Sequence, residues 1–155
     1  ADTAAGAQNH LFLYVDGAMQ DLGTMSGGDC YATGINASDA IVGWEDRLGG
    51  TRAFLYANSR FTDLGSLGSA ASRANAINDA GQIVGTAGPV YGPSRAFLYN
   101  NGTMHDLNDL VAPLSVPLSE AWKINNRGQI IANGCPPAGT PGSCRAYLLT
   151  PISPP

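Results

Sequence analysis

The amino-acid sequence predicts an all-β domain of three tandem units, each about 43 residues long and built from four antiparallel strands. Three observations support this fold class. The string RAFLY, or a close variant of it, occurs four times, at 10–14, 52–56, 95–99 and 145–149. A string that ends in Asp-Leu follows each of the first three copies. An Ile-Asn string and an Ile-Val-Gly string, or close variants, complete each period.

The AFLY strand and the Asp-Leu strand form the first predicted hairpin of each unit. The dipeptides between them are Asp16-Gly17, Asn58-Ser59 and Asn101-Gly102. Such dipeptides favour two-residue turns, because both central residues must adopt positive φ. A two-residue turn also fixes the register, so Phe97 is predicted opposite Asp106 and Tyr99 opposite Met104.

The Ile-Asn strand and the Ile-Val-Gly strand form the second predicted hairpin. Its copies occupy 35–43, 77–85 and 124–134. Gly81 and Gly128 supply the left-handed residue that closes a type I turn, whereas Asp39 stands at that position in the first copy. The four strand types together give thirteen strands, and no segment requires a helix.

Each predicted sheet has two largely apolar faces, so it must be covered on both sides. We expect residues 1–155 to form one repeat domain. Its approximate units are 10–51, 52–94 and 95–149, followed by a tail at 150–155. Three arrangements fit the strand count: a propeller-like ring, a β-prism-like assembly and an open stack. The ring would be closed by pairing of the hairpin 10–22 with the strand 145–149, which would protect the sheet edges.

Composition and charge narrow the classes of function. The chain has 155 residues, of which 13% are charged, and a net charge of −4. This charge gives no electrostatic footprint for nucleic acid. No apolar run approaches the roughly 18 residues of a membrane-spanning helix. The N-terminal ADTAAGAQ is typical of a mature chain left after signal-peptide cleavage, so we expect a periplasmic, cell-surface or secreted protein.

Two of the three cysteines are placed for a disulfide. Cys135 and Cys144 flank PPAGTPGS, a loop whose proline and glycine residues bring its ends together. A bridge there would agree with export, whereas two reduced thiols in a cytosolic protein are the alternative. Cys30 is left over, either as a buried thiol or as a partner for another chain.

A basic residue precedes each AFLY string and lies diagonally across the hairpin from an aspartate. The predicted pairs are His10 with Asp21, Arg52 with Asp63, and Arg95 with Asp106. Arg145 has no aspartate after it, and under ring closure its partner would be Asp21. A feature present in every unit is typical of architecture, so we interpret these pairs as fixing strand register rather than as a ligand site.

Catalytic and metal-binding patterns are weak. The two histidines, His10 and His105, occupy repeat positions that hold other residue types elsewhere, and no serine lies in a G-x-S-x-G motif. The cysteines lack C-x-x-C spacing, and the Asn- and Asp-rich turns lack the alternating acidic positions of a calcium loop. We expect no catalytic residues, no metal and no cofactor.

Candidate binding residues gather where the long connections meet. With the AFLY strands pointing up, the tight turns lie at the top, and the long connections lie at the bottom: 24–33, 44–51, 66–75, 86–94, 109–121 and 133–144. Long loops at one end of a rigid scaffold often build binding surfaces. Trp44, Arg47, Tyr91 and Trp122 are predicted there, and such side chains anchor recognition or stack on sugar rings. Trp122 has an alternative role in core packing.

The segment FTDLGSLGSAASRANAINDAGQIVG at 61–85, with the flanking RAFLY strings, resembles the HAF family of bacterial extracellular repeats. The resemblance covers residues 10–149. It implies an exported repeat protein and supplies no catalytic residues. The departures from the family pattern are Asp39, Asn108 and the cysteine loop.

These observations predict an exported, non-enzymatic β-repeat protein that acts in surface display or recognition. Its partner would be a protein or a glycan, and in an infecting bacterium its exposed surface would be a target for host antibodies. A carbohydrate-binding module is the alternative function, and a hydrolase is a more distant one.

Overall fold

Over residues 8–136 and 141–152, which this computed structural model describes, the chain forms thirteen strands and one four-residue helix. The N-terminal ADTAAGA, residues 137–140 of the cysteine loop and residues 153–155 of the tail lie outside the described residues. The expected mature N-terminus falls largely on that first segment. None of the described residues forms a helix that is long and apolar enough to cross a membrane.

The strands form one hairpin and three open antiparallel sheets. The hairpin contains β1 (Leu11–Val15) and β2 (Ala18–Gly23). Sheet 1 contains β3 (Asp29–Ile35), β4 (Ile41–Arg47), β5 (Gly50–Ala57) and β6 (Arg60–Asp63). Sheet 2 contains β7 (Ala71–Ile77), β8 (Ile83–Gly88), β9 (Arg95–Asn100) and β10 (Thr103–Asp106), after which α1 (Leu107–Leu110) follows. Sheet 3 contains β11 (Leu118–Ile124), β12 (Ile130–Gly134) and β13 (Arg145–Leu149).

The predicted all-β class, strand number and turns are confirmed. Asn101 and Gly102 both have positive φ, 50° and 80°, as the two-residue turn requires. Phe97 pairs with Asp106 and Tyr99 with Met104, in the predicted register. Asp39 adopts φ of 57° where the other two copies have glycine. Short-range turn chemistry therefore fixes the hairpins of this chain.

Each sheet begins at the Ile-Asn strand, which lies in the middle of a period counted from AFLY to AFLY. Sheet 1 spans 29–63 and sheet 2 spans 71–106, both in the order Ile-Asn, Ile-Val-Gly, AFLY and Asp-Leu. The hairpin supplies only the last two strand types, and sheet 3 only the first three. The hydrogen-bonded units are thus offset by about half a period from the sequence units.

Consecutive sheets pack face to face and enclose three cores. Val42 and Ala53 of sheet 1 pack with Ile83 and Phe97 of sheet 2. Sheet 2 uses its other face, including Val84, to pack against sheet 3. The hairpin covers the remaining face of sheet 1 through a third core. An internal sheet therefore buries both faces, as its apolar composition predicts.

The side chains of the first two Ile-Asn asparagines each join one sheet to the next. Asn36 Nδ2 donates to the carbonyl oxygen of Asn78 at 3.1 Å, and Asn78 Nδ2 donates to that of Asn125 at 3.0 Å. Three residues earlier along the chain, Thr33 Oγ1 donates to the Ala74 carbonyl at 2.7 Å, and Asn75 Nδ2 donates to the Ala121 carbonyl at 2.9 Å. We call the contacts among Asn36, Asn78 and Asn125 the asparagine ladder. The ladder sets the register between sheets, because apolar packing alone is non-directional.

Two local predictions are wrong. Residues 44–51 were expected to form a long loop, but β4 continues to Arg47 and β5 begins at Gly50. Trp44 pairs with Ala53 and Glu45 pairs with Arg52, so the pairing of β4 with β5 continues through this segment. A helix, expected nowhere, forms at Leu107–Leu110, where the Asp106 side chain accepts from the Asn108 backbone as an N-cap.

The closure of a ring by the hairpin is not observed in the described residues. There, β13 pairs with β12 alone. The hairpin instead adjoins sheet 1, where the Cys30 N–H donates to the Asn9 carbonyl at 2.7 Å. Leu11 of β1 is buried in the core with Phe54 of sheet 1. The hairpin and sheet 3 thus lie at opposite ends of a stack.

Candidate functional site

Trp44 lies on β4 at the boundary between sheets 1 and 2. Its indole stacks on its cross-strand neighbour Tyr31, with ring centroids 4.1 Å apart. Arg73 of sheet 2 places its guanidinium carbon 4.4 Å from the centroid of the same indole. A cation–π contact of this kind contributes about 0.5–1 kcal/mol at an exposed site. The three side chains link the two sheets, and they leave little of the indole face free for a ligand.

A cleft of about 450 Å³ opens beside this stack, between sheets 1 and 2 at the end with the long connections. Arg73 belongs to its lining, together with Asp46, Thr51, Thr86 and Ser94. Asp46 and Arg73 are exposed and carry opposite charges. The cleft has the volume of a small-molecule site. Its chemistry suits a polar ligand that offers both hydrogen-bond donors and acceptors.

The loop 89–94 forms one wall of the cleft and carries Tyr91. Tyr91 is 94% exposed, and the adjacent Val90, which lines the cleft, is 53% exposed. Pro89 and Pro93 restrict the backbone on either side of this pair, because the proline ring fixes φ. The loop therefore presents an aromatic and an aliphatic side chain to solvent on a restricted backbone.

Arg47, which was predicted as a binding residue, is engaged within the protein. Its Nε donates to Oε2 of Glu45 at 2.8 Å, and its Nη2 lies 3.6 Å from Oδ2 of Asp63. Glu45 is fully buried and also accepts from the backbone and side chain of Ser26 and from the Gly28 N–H. These bonds hold the loop 24–28 against β4. Arg47 is thus part of a structural anchor.

The environment of Glu45 changes the pKa values of two groups. Burial raises the pKa of the Glu45 carboxyl, but the hydrogen bonds from Ser26, Arg47 and Gly28 outweigh it, so the net pKa is lowered. The Cys30 thiol lies 3.9 Å from the Glu45 carboxylate. Burial, with the nearby Glu45 charge, raises the pKa of Cys30, which keeps the thiol protonated. This thiol is not arranged as a nucleophile.

A row of three unlike side chains crosses the first strands of the three sheets. Tyr31, Arg73 and Glu120 occupy the same position of the Ile-Asn strand in sheets 1, 2 and 3. Burial raises the pKa of Glu120, although the hydrogen bond from Asn75 and the charge of Arg73 oppose the effect. The row places an aromatic ring, a cation and a carboxyl along three adjacent strands.

Trp122 lies on β11, away from the cleft between sheets 1 and 2. It is 45% exposed. Its indole Nε1 lies 3.1 Å from the side-chain amide oxygen of Asn133, with that amide turned towards it. Trp44, Tyr91 and Trp122 therefore do not form one aromatic surface.

The repeated charged pairs form in two of the three hairpins. His10 Nδ1 lies 2.9 Å from Asp21, and Arg95 Nη1 lies 3.1 Å from Asp106. Arg52 instead donates to the Ser69 carbonyl at 3.5 Å. Arg145 donates to Ser115 Oγ at 3.1 Å.

Each aspartate of the Asp-Leu strand has a second partner that the sequence interpretation missed. Oδ1 of Asp21, Asp63 and Asp106 accepts from the backbone N–H two residues later, at 2.8, 2.9 and 2.9 Å. The hydrogen bond from His10 is the main cause that lowers the pKa of Asp21, and the Gly23 N–H adds to it. The aspartate therefore recurs because it closes an Asx turn.

Cys135 and Cys144 are joined by a disulfide with an S–S distance of 2.13 Å, and Cys30 is a buried free thiol. The bridge closes the long connection between β12 and β13. Within the described ranges, no group of three or more His, Cys, Asp or Glu residues has a metal-binding arrangement.

The sequence interpretation did not identify four residues of this region: Tyr31, Glu45, Arg73 and Glu120. The available signal was a departure from the repeat. Glu45 stands where the other two units have Ala87 and Gly134, and the row of Tyr31, Arg73 and Glu120 has three unlike residues at one repeat position. Positions that differ among near-identical units mark places where architecture does not dictate the residue.

No protein-family model, no curated protein sequence and no solved structure matches this chain.

Proposed function

We propose that this protein is an exported, non-enzymatic recognition domain that binds a partner through the cleft between sheets 1 and 2 and the loop 89–94. One observation carries the proposal: the highly exposed Tyr91 lies on the loop 89–94, next to Val90, which lines a chemically mixed cleft of about 450 Å³. Concave, chemically mixed sites flanked by exposed aromatic residues are typical of binding surfaces.

A protein surface is the partner that this geometry favours. Tyr91 and Val90 offer apolar contact area, and tyrosine loses little conformational entropy when it is buried in an interface. Asp46 and Arg73 add one charge of each sign beside them, which gives orientation and specificity. The stack on Trp44 supports the cleft from within.

A glycan is the second candidate, and Tyr31 is the residue that favours it. Tyr31 is 37% exposed and stacks on Trp44, which the exposed Arg73 side chain also contacts. An exposed aromatic ring beside hydrogen-bonding groups suits a sugar ring. Trp44 is less suitable than the sequence suggested, because its indole already contacts Tyr31 and Arg73.

The absence of enzymatic activity is part of the proposal. His10 contacts Asp21, and in the part of the chain that the structure describes neither histidine is hydrogen-bonded to a serine. Burial keeps the Cys30 thiol protonated and away from solvent. These observations give a hydrolase little support.

The proposed cellular setting rests on the repeats and the disulfide. The AFLY, Asp-Leu and Ile-Asn strings, which are similar to those of the HAF family, coincide with equivalent strands in successive sheets. A disulfide between Cys135 and Cys144 agrees with an oxidising compartment. We therefore propose that the protein is a member of that bacterial extracellular group and that its exposed loops are accessible to antibodies.

We also propose that the sheets form part of a propeller-like arrangement of tandem units rather than a β-prism. Two observations support this. The first strands β3, β7 and β11 lie next to one another, and each sheet packs its face on the next. Successive blades of a propeller are arranged in this way around their axis.

Site-specific photocrosslinking tests the recognition function. A benzoyl-phenylalanine at position 91 should form a discrete adduct when the protein is added to intact cells that produce it. Position 14 is the matched control, because Tyr14 is 67% exposed but lies on the hairpin. Excess wild-type protein should compete, and the Tyr91→Ala variant should not. Equal adducts from both positions would refute the proposal, whereas a glycan-array signal lost in Tyr31→Ala would favour the second candidate.

A further inference from the structure

Within the ranges 8–136 and 141–152, sheet 3 has three strands where sheets 1 and 2 have four. In sheet 2, β9 pairs with β10 on its outer edge. In sheet 3, β13 is the equivalent of β9, and no strand of the described residues pairs with its outer edge. An unpaired edge exposes backbone N–H and C=O groups that a further strand can satisfy.

Arg145 at the start of β13 lacks, among the described residues, the carboxylate partner that two of its three equivalents have. Arg95 contacts Asp106 of β10, and His10 contacts Asp21 of β2, each across the hairpin. Among the described residues, Arg145 contacts no carboxylate, and its Nη1 donates to the hydroxyl of Ser115. The aspartate that would complete the pattern belongs to a fourth strand, which sheet 3 does not have among the described residues.

A cavity of about 440 Å³ lies beside the same strand, between sheets 2 and 3. Its lining is mostly apolar and includes Leu98, Leu107, Leu110, Ile124, Ile130 and Leu149. In the equivalent space between sheets 1 and 2, Met104 packs beside Tyr99 against the core. Leu149 is the counterpart of Tyr99, so the cavity lies where a counterpart of Met104 would sit.

We propose that the outer edge of β13 binds an extended peptide segment as a fourth antiparallel strand. The segment carries an apolar residue two positions before an aspartate, as Met104 and Asp106 do on β10. Its backbone pairs with β13, its apolar side chain fills the cavity, and its carboxylate meets Arg145. The edge gives affinity through main-chain hydrogen bonds, and the two side chains give specificity.

The register of the bound strand follows from the existing hairpins. Phe97 pairs with Asp106 and Tyr99 with Met104. On β13, Tyr147 and Leu149 hold these two positions, so the aspartate of the peptide pairs with Tyr147 and its apolar residue with Leu149. This surface is separate from the cleft of the proposed function, and its test is independent of it.

A synthetic peptide with the sequence of residues 101–108, NGTMHDLN, is the probe. Fluorescence anisotropy of the labelled peptide with the full chain should show saturable binding. Replacing the peptide's aspartate by asparagine should weaken binding by up to about fivefold, the range of a cross-strand ion pair. Replacing its methionine by serine should weaken binding by about tenfold or more, because apolar burial in the cavity is lost.

Charge reversal distinguishes specific pairing from general affinity. The Arg145→Glu protein should prefer a peptide whose aspartate is replaced by lysine, and the control protein Arg60→Glu should behave as the wild type. Amide hydrogen exchange of residues 145–149 should slow on binding. Absence of saturable binding at millimolar protein, insensitivity to both peptide changes, or exchange protection elsewhere would overturn the proposal.

Discussion

At the residue scale, the informative positions are those that break the repeat. The recurring residues close turns, fill cores and join sheets, so their identity follows from architecture. Glu45, Tyr31 and Arg73 have no counterpart of the same type in the other units, and each makes contacts that the repeat does not require. Sequence reasoning gave weight to aromatic residues in predicted loops. It missed this set because their partners come from other strands.

Replacement of Glu45 should destabilise the fold in a pH-dependent way. Glu45→Gln leaves the backbone N–H of Ser26 and the Arg47 guanidinium without a charged acceptor, which should cost about 1–3 kcal/mol at neutral pH. Because the folded-state pKa of Glu45 is lowered, its stabilisation is present above the ordinary value of 4.5 and is lost as the pH falls through the folded pKa.

Urea unfolding of the wild type and the Glu45→Gln variant across acidic pH checks this prediction. The two curves should converge as the pH falls. Asp46→Asn is the matched control, since Asp46 is the exposed carboxylate next along β4. A free energy of unfolding that is the same for wild type and Glu45→Gln at neutral pH would show that the buried carboxylate does not anchor the loop 24–28.

At the element scale, strands and turns could be predicted from the sequence, whereas their grouping into sheets could not. The Asn101-Gly102 turn needs only neighbouring residues, so both the turn and the register of Phe97 with Asp106 follow from local chemistry. A repeat can be divided at any point of its period, and no local signal marks where a sheet begins. The expected loop at 44–51 failed because pairing with β5 extends β4 to Arg47.

The Trp44 stack and the loop 89–94 should respond differently to alanine. Trp44→Ala removes contacts with Tyr31 and Arg73 that join two sheets, so it should lower the melting temperature by several degrees. Tyr91→Ala removes a side chain in solvent and should leave the melting temperature unchanged. Differential scanning calorimetry of both variants makes the comparison. Equal shifts would show that Trp44 has no role between the sheets.

The asparagine ladder should contribute measurably to stability. Asn78→Ala removes the bond to the Asn125 carbonyl and the bonds to Gln82 inside its own turn. Asn125→Ala removes only bonds inside its own turn, within the described residues. Each substitution removes three hydrogen bonds, but Asn78 is buried and Asn125 is exposed, so water replaces the lost bonds only at Asn125. Asn78→Ala should therefore lower the free energy of unfolding by about 1 kcal/mol more than Asn125→Ala in chemical denaturation. Equal losses of the free energy of unfolding in the two variants would show that the asparagine ladder does not stabilise the protein.

At the scale of the whole molecule, the stack explains why strongly apolar short sheets remain folded together. Val42, Val84 and Ile131 occupy one position in sheets 1, 2 and 3, with exposures of 0%, 0% and 49%. The first two are covered by the following sheet, whereas Ile131 lies on the open face of sheet 3. Burial is thus set by position in the stack, as nearest-neighbour stabilisation of repeat proteins predicts. The composition indicated two-sided burial, but it carried no information on the order of the sheets or on ring closure.

The first strands of successive sheets are in contact, and a three-dimensional nuclear Overhauser spectrum tests this arrangement. The structure places Thr33 Oγ1 2.7 Å from the Ala74 carbonyl and Asn75 Nδ2 2.9 Å from the Ala121 carbonyl. These distances predict cross-peaks between Thr33 and residues 74–75, and between Asn75 and residues 121–122. Absence of both sets, with cross-peaks between the hairpin and β13 in their place, would contradict this arrangement.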